Sequence, residues 1–312
     1  MLRASEHKSA LWVVTTYFNP AGFRLRRENY RRFRSALGQK PCLTIECALS
    51  DRPFELTAAD DVLQVRARDS LWHKERLVNL ALATLPPDCR YVAWIDGDVL
   101  FERPDWDEQT QALLERHVAV QPWSEVVLLP SPNQPTAQPE LVRGMAATIA
   151  EHPAALTTGR FADHGHCGYA WAARRELLDA VGLYDACIAG SADHVMAHGM
   201  LAAPHAPCVT RLLGDGTPHH RHFCAWSQRL REVCSDLGLS GLGYLPGRIT
   251  HLWHGELADR RYLERNLTLQ RLGFDPVRDL WARPGEPWRL SEPNSELGRF
   301  LTDYFPLRRE DG

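Results

Sequence analysis

Asp96 and Asp98 stand one residue apart, with Gly97 between them, at the end of the apolar run YVAWI (91–95). If that run is a buried strand of a parallel sheet, both carboxylates fall at its carboxyl edge, where open α/β folds bind ligands. Two oxygen donors so close suit a hard divalent cation, Mn²⁺ or Mg²⁺, which can also take diphosphate oxygens and water. Glycine between them allows a close approach or an unusual backbone dihedral. The plainer alternative is a tight turn, in which Asp-Gly is common. On the tripeptide alone the turn is the better reading, and its surroundings must decide.

The chain has 312 residues, 44% of them hydrophobic, enough to bury a substantial core as one large domain or two smaller ones. Residues 11–17 (LWVVTTY) predict a strand that ends at Asn19-Pro20. A helix is expected over 22–37. Phe23, Tyr30, Phe33 and Leu37 recur there at helical spacing, and Arg24, Arg26, Arg27, Arg31, Arg32 and Arg34 read as a solvated face. Residues 42–49 and 61–65 are the next strands, and 74–85 an amphipathic helix stopped by Pro86-Pro87. With 91–95 as strand four, this alternation implies a mostly parallel central sheet flanked by helices, an α/β fold. Beyond it come a surface helix (104–117), strand material (118–129) and a loop rich in Pro, Ser, Asn and Gln (130–139), a candidate mobile edge. Helices are expected at 140–150, 174–181, near 223–237 and near 259–272, with a strand at 248–253 and an aromatic tail. No internal repeat is visible, and composition shifts only softly near residue 205.

Composition excludes some functions. A net charge of −3 offers no broad basic field for a nucleic-acid backbone. No stretch approaches the roughly 18 apolar residues of a transmembrane segment, and residues 1–10 do not read as a secretory signal. The expected location is the cytoplasm. Eight cysteines are scattered without CxxC pairs, which predicts reduced thiols rather than a disulfide framework.

The motif in YVAWIDGDVLF resembles the DxD motif of the GT-A glycosyltransferases, which likewise follows an apolar strand. TTYFNP (15–20) resembles their nucleotide-contacting loop after the first strand, and LWHKERLVNLAL (71–82) resembles the helix with a basic residue that precedes the metal strand. The resemblance spans roughly residues 11–255, a catalytic domain of 1–255 with an irregular, helical C-terminal extension at 256–312. It implies that Asp96 lies near the ribose and metal, that Asp98 ligates the metal directly, and that Thr15, Tyr17, Asn19 and Lys74 touch the nucleotide or diphosphate. Ordinary strand and surface roles are the competing reading for the last four.

Residues 165–176 and 182–196 are similar to the stretch in inverting GT-A enzymes where a Gly-containing segment, here including Gly168, supports the donor sugar and an acid precedes a helix. The matching acid is Asp193, implied to be the general base that deprotonates the acceptor hydroxyl. A helix N-terminus favours carboxylate and would lower its basicity, unless Ser191 supplies the cap instead. Asp185 is the alternative base, or a turn residue. In THLWHG (250–255), His251 or His254 resembles the downstream histidine that completes the metal site in many such enzymes. On a continuous strand the two face opposite ways, so one reaches the metal, His251 by preference, unless the chain turns near Trp253. Trp171 and Trp253 could stack on a sugar's apolar face or pack in the core. His164 and His166 flank the sugar segment. His219, His220 and His222 with Cys224 read as a solvent-facing or acceptor-contacting loop rather than a zinc site.

The expected activity is therefore metal-dependent transfer of a hexosyl or N-acetylhexosaminyl group, with inversion. It would run from a nucleotide-sugar donor, UDP-linked by preference, to a hydroxyl of a glycan, lipid-linked or small-molecule acceptor. Two alternatives stay open. A nucleotidyltransferase would want a Gly-rich basic loop after the first strand, for which Asn19-Pro20-Ala21-Gly22 is a poor match. A non-catalytic sugar- or nucleotide-binding protein of the same fold would bind without turnover.

Overall fold

A computed structural model of the chain describes residues 10–134, 136–158 and 160–312. Pro135, in the expected mobile edge, lies outside the described residues. The first half alternates strand and helix: β1 (Leu11–Phe18), α1 (Arg24–Leu37), β2 (Cys42–Leu49), β3 (Val62–Ala67), α2 (Lys74–Leu82) and β4 (Tyr91–Ile95). Then follow β5 (Val99–Phe101), α3 (Trp106–Leu114), β6 (Ala119–Gln121), β7 (Glu125–Leu128), β8 (Glu140–Arg143), α4 (Met145–Glu151), β9 (Ala170–Arg174) and α5 (Arg175–Val181). The remainder comprises α6 (Ala192–Met200), α7 (Pro207–Leu213), α8 (Pro218–Asp236), β10 (Leu242–Tyr244), β11 (Arg248–His251), α9 (Tyr262–Arg271), α10 (Pro276–Asp279), the short pair β12 (Leu280–Trp281) and β13 (Arg289–Leu290), and α11 (Glu296–Tyr304).

Seven strands form the central sheet in the order β10-β6-β9-β4-β1-β2-β3. Its pairs are parallel except where β9 lies antiparallel between β4 and β6. The α/β architecture with a mostly parallel sheet and flanking helices is thus the one expected. All five residues of β4 are buried, as a strand covered on both faces requires. Burying a side chain such as Val92 or Ile95 contributes about 1.5–3 kcal/mol each. A second sheet, β5-β11-β7-β8, sets β11 antiparallel to β5 and parallel to β7.

Three departures from the sequence expectation stand out. Residues 140–143 are strand β8, not the start of a helix, because they pair antiparallel with β7. β9 was not expected: AWAAR has weak strand propensity, but its small side chains fit the fully packed slot between β4 and β6. His219 and His220 are buried in the first turn of α8, which Thr217 caps by accepting from the His220 amide, so they are not a solvent-facing loop.

The C-terminal segment is stitched to the opening of the chain. Helix α1 has no local side-chain cap. Asp311 supplies one from a distance, accepting from the backbone N–H of Arg24 at 2.9 Å and of Leu25 at 2.7 Å. Arg26, on the supposedly solvated face, pairs with the buried Glu310 at 2.6 Å.

Candidate active site

Strand β4 delivers Asp96 to the carboxyl edge of the sheet, and its backbone N–H is held by the Tyr169 carbonyl at 2.8 Å. Tyr169 has φ 76°, a left-handed conformation that costs a bulky residue on the order of 1–3 kcal/mol. Ser191, immediately before α6, also sits there, at φ 75°. Strained residues thus abut both acidic positions singled out by sequence. Gly97 does not have the unusual dihedral allowed for it: its φ is not positive, and an added Cβ would meet Tyr30 and Thr15 at 3.5 and 3.6 Å, ordinary contacts.

Asp96, Gly97 and Asp98 line a cavity of about 460 Å³, together with Lys74, Gly168, Asp193, His251 and His254. Lys74 joins the two halves of the site, its Nζ lying 2.7 Å from Asp96 Oδ1 and 3.0 Å from Asp193 Oδ2. Burial opposes the Lys74 charge, but Asp193, Asp96 and Glu75 together hold its pKa well above the usual lysine value. Glu75, also on the cavity wall, is pushed up to about 8, first by burial and then by Asp193, against the pull of Lys74. Burial raises Asp96 as well, with Lys74 opposing.

Asp98 forms a different group. Its Oδ2 lies 3.1 Å from His254 Nε2 and its Oδ1 3.9 Å from His251 Nε2, and one donor atom from each of the three side chains falls within 4.8 Å of the others. Both histidines reach Asp98 because β11 ends at His251, so the opposite-face argument for a continuous strand stops applying. The Leu252 amide donates to the Asp98 carbonyl at 2.9 Å and fastens the two segments together. Burial drives the Asp98 carboxyl up, but His254, His251 and Arg26 more than reverse this and hold it below the usual range. Burial also keeps His251 neutral, with its pKa well below the ordinary imidazole value.

The donor set fits a divalent cation. Asp98 Oδ1 is buried without a hydrogen-bond partner. His254 Nε2 lies 3.1 Å from an Arg260 guanidinium nitrogen, while His254 Nδ1 lies 3.5 Å from Glu310. One ring nitrogen cannot accept from Arg260 and donate to Asp98 together. Arg260 and Asp98 therefore compete for Nε2, Nδ1 has no hydrogen-bond partner, and a cation between the Nε2 lone pair and the Asp98 carboxylate would satisfy both ligands. Asp96 is outside this trio and is held by Lys74.

Several expected site residues are not brought to the cavity. On β1, alternation turns Thr16 and Phe18 toward it, whereas Thr15 is buried beneath Gly97 and Tyr17 faces away. Tyr17 donates to Glu55 at 2.6 Å, and the Asn19 amide donates to Glu55 and to the Phe23 carbonyl, around a separate small cleft. Trp171 is buried, its indole donating to the Cys167 carbonyl at 2.7 Å, and it packs in the core. Trp253 is absent from the cavity wall, as are Asp185, which bonds Asn79 and Arg76, and the described residues of the loop 130–139. Ser191 makes no cap for α6; its hydroxyl accepts from Arg265 and Asn266 instead.

The sequence reading missed the cavity's aromatic and basic lining. Trp72, Phe161, Tyr262 and Phe305 face it, Trp72 stacking on Phe305 with the planes 8° apart. Arg260 and Arg265 also line it, each buried and, among the described residues, without a carboxylate partner within 4 Å; the Nε of each lacks any acceptor. Buried guanidiniums in that state invite an anion. They come from 256–312, where LADRRYLERN carries the charge in plain view but no spacing that points it at residues 96–98.

No protein-family profile matches the chain, and no curated protein does. Among solved structures it is similar to glucosyl-3-phosphoglycerate synthase from Mycobacterium tuberculosis in complex with Mn²⁺, UDP and phosphoglyceric acid. Identity is 16%, covering 91% of this chain and 87% of that one, with a TM-score of 0.41. The same enzyme with Mn²⁺ and UDP-glucose gives 14% identity, 91% and 86% coverage and a TM-score of 0.41. A further mycobacterial protein gives 14%, 91%, 83% and 0.40. Likeness this loose leaves the chemistry to be read from the chain's own residues. No helix among the described residues is long and apolar enough to cross a membrane.

Proposed function

We propose that the chain is a metal-dependent glycosyltransferase of the GT-A type, transferring a sugar from a nucleoside diphosphate, with a UDP-sugar as the first donor to try. The observation that carries this is the meeting, on one cavity wall, of a cation-ready trio (Asp98, His251, His254), a second acid (Asp193) and two buried arginines without carboxylate partners (Arg260, Arg265). Asp98, His251 and His254 would hold Mn²⁺ or Mg²⁺, which when bound supplies counter-charge for the diphosphate. Arg260 and Arg265 add fixed positive charge for the same anion. Trp72 and Tyr262 offer faces for the base or the sugar.

Asp193 takes the role of base. Its Oδ1 is buried with no partner, free to accept a proton, while Oδ2 is oriented by Lys74. The acceptor hydroxyl gives its proton to Asp193 and its oxygen bonds to the anomeric carbon. The bond from that carbon to the diphosphate breaks, and the electron pair leaves with the diphosphate. A single displacement of this kind inverts the anomeric centre. Lys74 positions both acids and excludes their mutual repulsion.

The nucleotidyltransferase alternative loses support from Asn19, which is tied to Phe23 and Glu55 and offers no phosphate loop. The test is a panel of nucleotide sugars with Mn²⁺ and acceptor sugars, read by release of nucleoside diphosphate and by thermal shift. Turnover with at least one donor is expected. Binding without turnover across the acceptor panel would favour the non-catalytic reading, and no binding of any nucleotide with any divalent metal would sink the proposal.

A further inference from the structure

Four side chains at the back of the cavity wall carry chemistry that the proposed transfer does not use; of them His194 reaches the cavity and Cys208 packs with the apolar core. His164 ends the short turn Phe161–His164, His194 and His198 lie one turn apart on α6, and Cys208 is in the first turn of α7. Their fractional exposures are 1%, 7%, 0% and 0%. One donor atom from each lies within 4.8 Å of all the others.

Buried polar atoms are normally hydrogen-bonded, and here His164 and His194 each keep one nitrogen without a partner, while the second nitrogen of His198 meets the Cys208 sulfur. His198 Nδ1 donates to the His194 carbonyl at 2.9 Å, leaving the Nε2 lone pair 3.1 Å from Cys208 Sγ. His164 Nε2 donates to the Thr158 carbonyl at 3.2 Å, and its Nδ1 has no partner. His194 Nε2 has none either. Giving one N–H to a backbone carbonyl while the other nitrogen accepts from no backbone amide, as in His164 and His198, orients a ring as metal-bound histidines are oriented, and His194 Nδ1 lies 3.8 Å from Cys167 Sγ. The neighbouring group His205, His220 and Cys224 lacks this feature: the His220 Nδ1 accepts from the Gly216 amide and its Nε2 donates to the Pro204 carbonyl, so both nitrogens are spent.

We propose that His164, His194, His198 and Cys208 form a closed structural site for Zn²⁺. Three imidazoles and one thiolate suit a borderline-soft tetrahedral ion, whereas Mn²⁺ and Mg²⁺ prefer oxygen. Zn–N of about 2.0–2.1 Å and Zn–S of about 2.3 Å set tetrahedral edges of roughly 3.3–3.6 Å, which donors within 4.8 Å of one another, with His198 Nε2 and Cys208 Sγ at 3.1 Å, reach by side-chain shifts. Binding releases the Cys208 proton and leaves the cluster with one net positive charge. The ion ties the segment before Gly165–Gly168 to α6, which carries Asp193, and to α7. It braces the cavity wall, which among the four ligands His194 reaches, and it stands whether or not the chain transfers sugars.

The full chain is stripped with a chelator, given one equivalent of Co²⁺ per site and desalted, then examined by absorption. A thiolate-to-cobalt charge-transfer band with strong tetrahedral d–d bands is expected. Cys208→Ser should lose the charge-transfer band, while Cys224→Ser and Asp98→Ala keep it. No such band in the wild-type chain, a band that survives Cys208→Ser, or one lost in Cys224→Ser overturns the proposal. Should Cys208→Ser not fold, zinc-edge X-ray absorption of the zinc-reconstituted wild-type chain decides: one sulfur with three nitrogens supports the site, and a shell without sulfur rejects it. Loss of nucleotide binding in Asp98→Ala with the band intact separates this site from the function proposed above.

Discussion

The two histidine clusters place the same ligand type in opposite settings. Asp98, His251 and His254 stand on the wall of a cavity, with a hard carboxylate among them and room for further oxygen ligands. His164, His194, His198 and Cys208 are buried, include a soft thiol and meet the cavity at His194. An ion that works on a ligand needs open positions; one that only holds a fold does not. The physical join between the two is short. His164 and His166 are separated by Gly165, and His194 follows Asp193 directly.

Asp98→Ala breaks the cavity side hardest. It should remove metal-dependent UDP binding and reduce transfer on the order of 10³-fold, while zinc content stays unchanged; metal analysis and a nucleotide-release assay check both. Asp193→Asn should keep donor binding and lower kcat on the order of 10²–10⁴-fold, since only proton transfer is touched. Equal transfer by the variant would remove Asp193 from the base role. Gly165→Ala probes the join itself. At φ +71° an added Cβ would meet the Arg143 and Gly144 carbonyl oxygens at 2.8 and 2.9 Å, so backbone must move. A loss of about 3 kcal/mol is expected by denaturant unfolding, with both sites weakened together.

A smaller effect concerns pH. The native Glu75 carboxyl is raised to about 8 by burial, against an unfolded value of about 4.3. The native state therefore holds the extra proton between those values, and this group's contribution to stability falls as pH rises from about 4.3 towards 8. Glu75→Gln should raise the thermal midpoint at pH 8 more than at pH 5 and flatten that slope. The smallest effect is at Gly97→Ala, whose methyl meets only ordinary contacts; thermal stability should change by less than about 0.5 kcal/mol.

Much of this arrangement was legible in the residues. β2 and β4 run over the same residues that their apolar runs define, and Asp96-Gly97-Asp98 sits where a strand end predicts. What escaped depends on long-range packing. AWAAR becomes a strand only because β4 and β6 flank it. The inward face of β1 belongs to Thr16 and Phe18, not Thr15 and Tyr17, and a run apolar on both faces gives no sign of which side meets a ligand. His251 and His254 converge because β11 stops at His251, a boundary one or two residues beyond the reach of pattern. Arg260 and Arg265 arrive from a segment more than 160 positions from Asp98, and Cys208 joins His164 across 44 positions. No spacing rule spans such distances.

The central claim is that the cavity binds a nucleoside diphosphate through a cation held at Asp98. Calorimetric titration of UDP into the wild-type chain, with and without Mn²⁺, and into Asp98→Ala tests it most directly. The expected result is binding at a ratio of one UDP per chain with Mn²⁺, weakened at least tenfold, about 1.4 kcal/mol, both without the metal and in the variant. Equal UDP binding in all three conditions would contradict the claim.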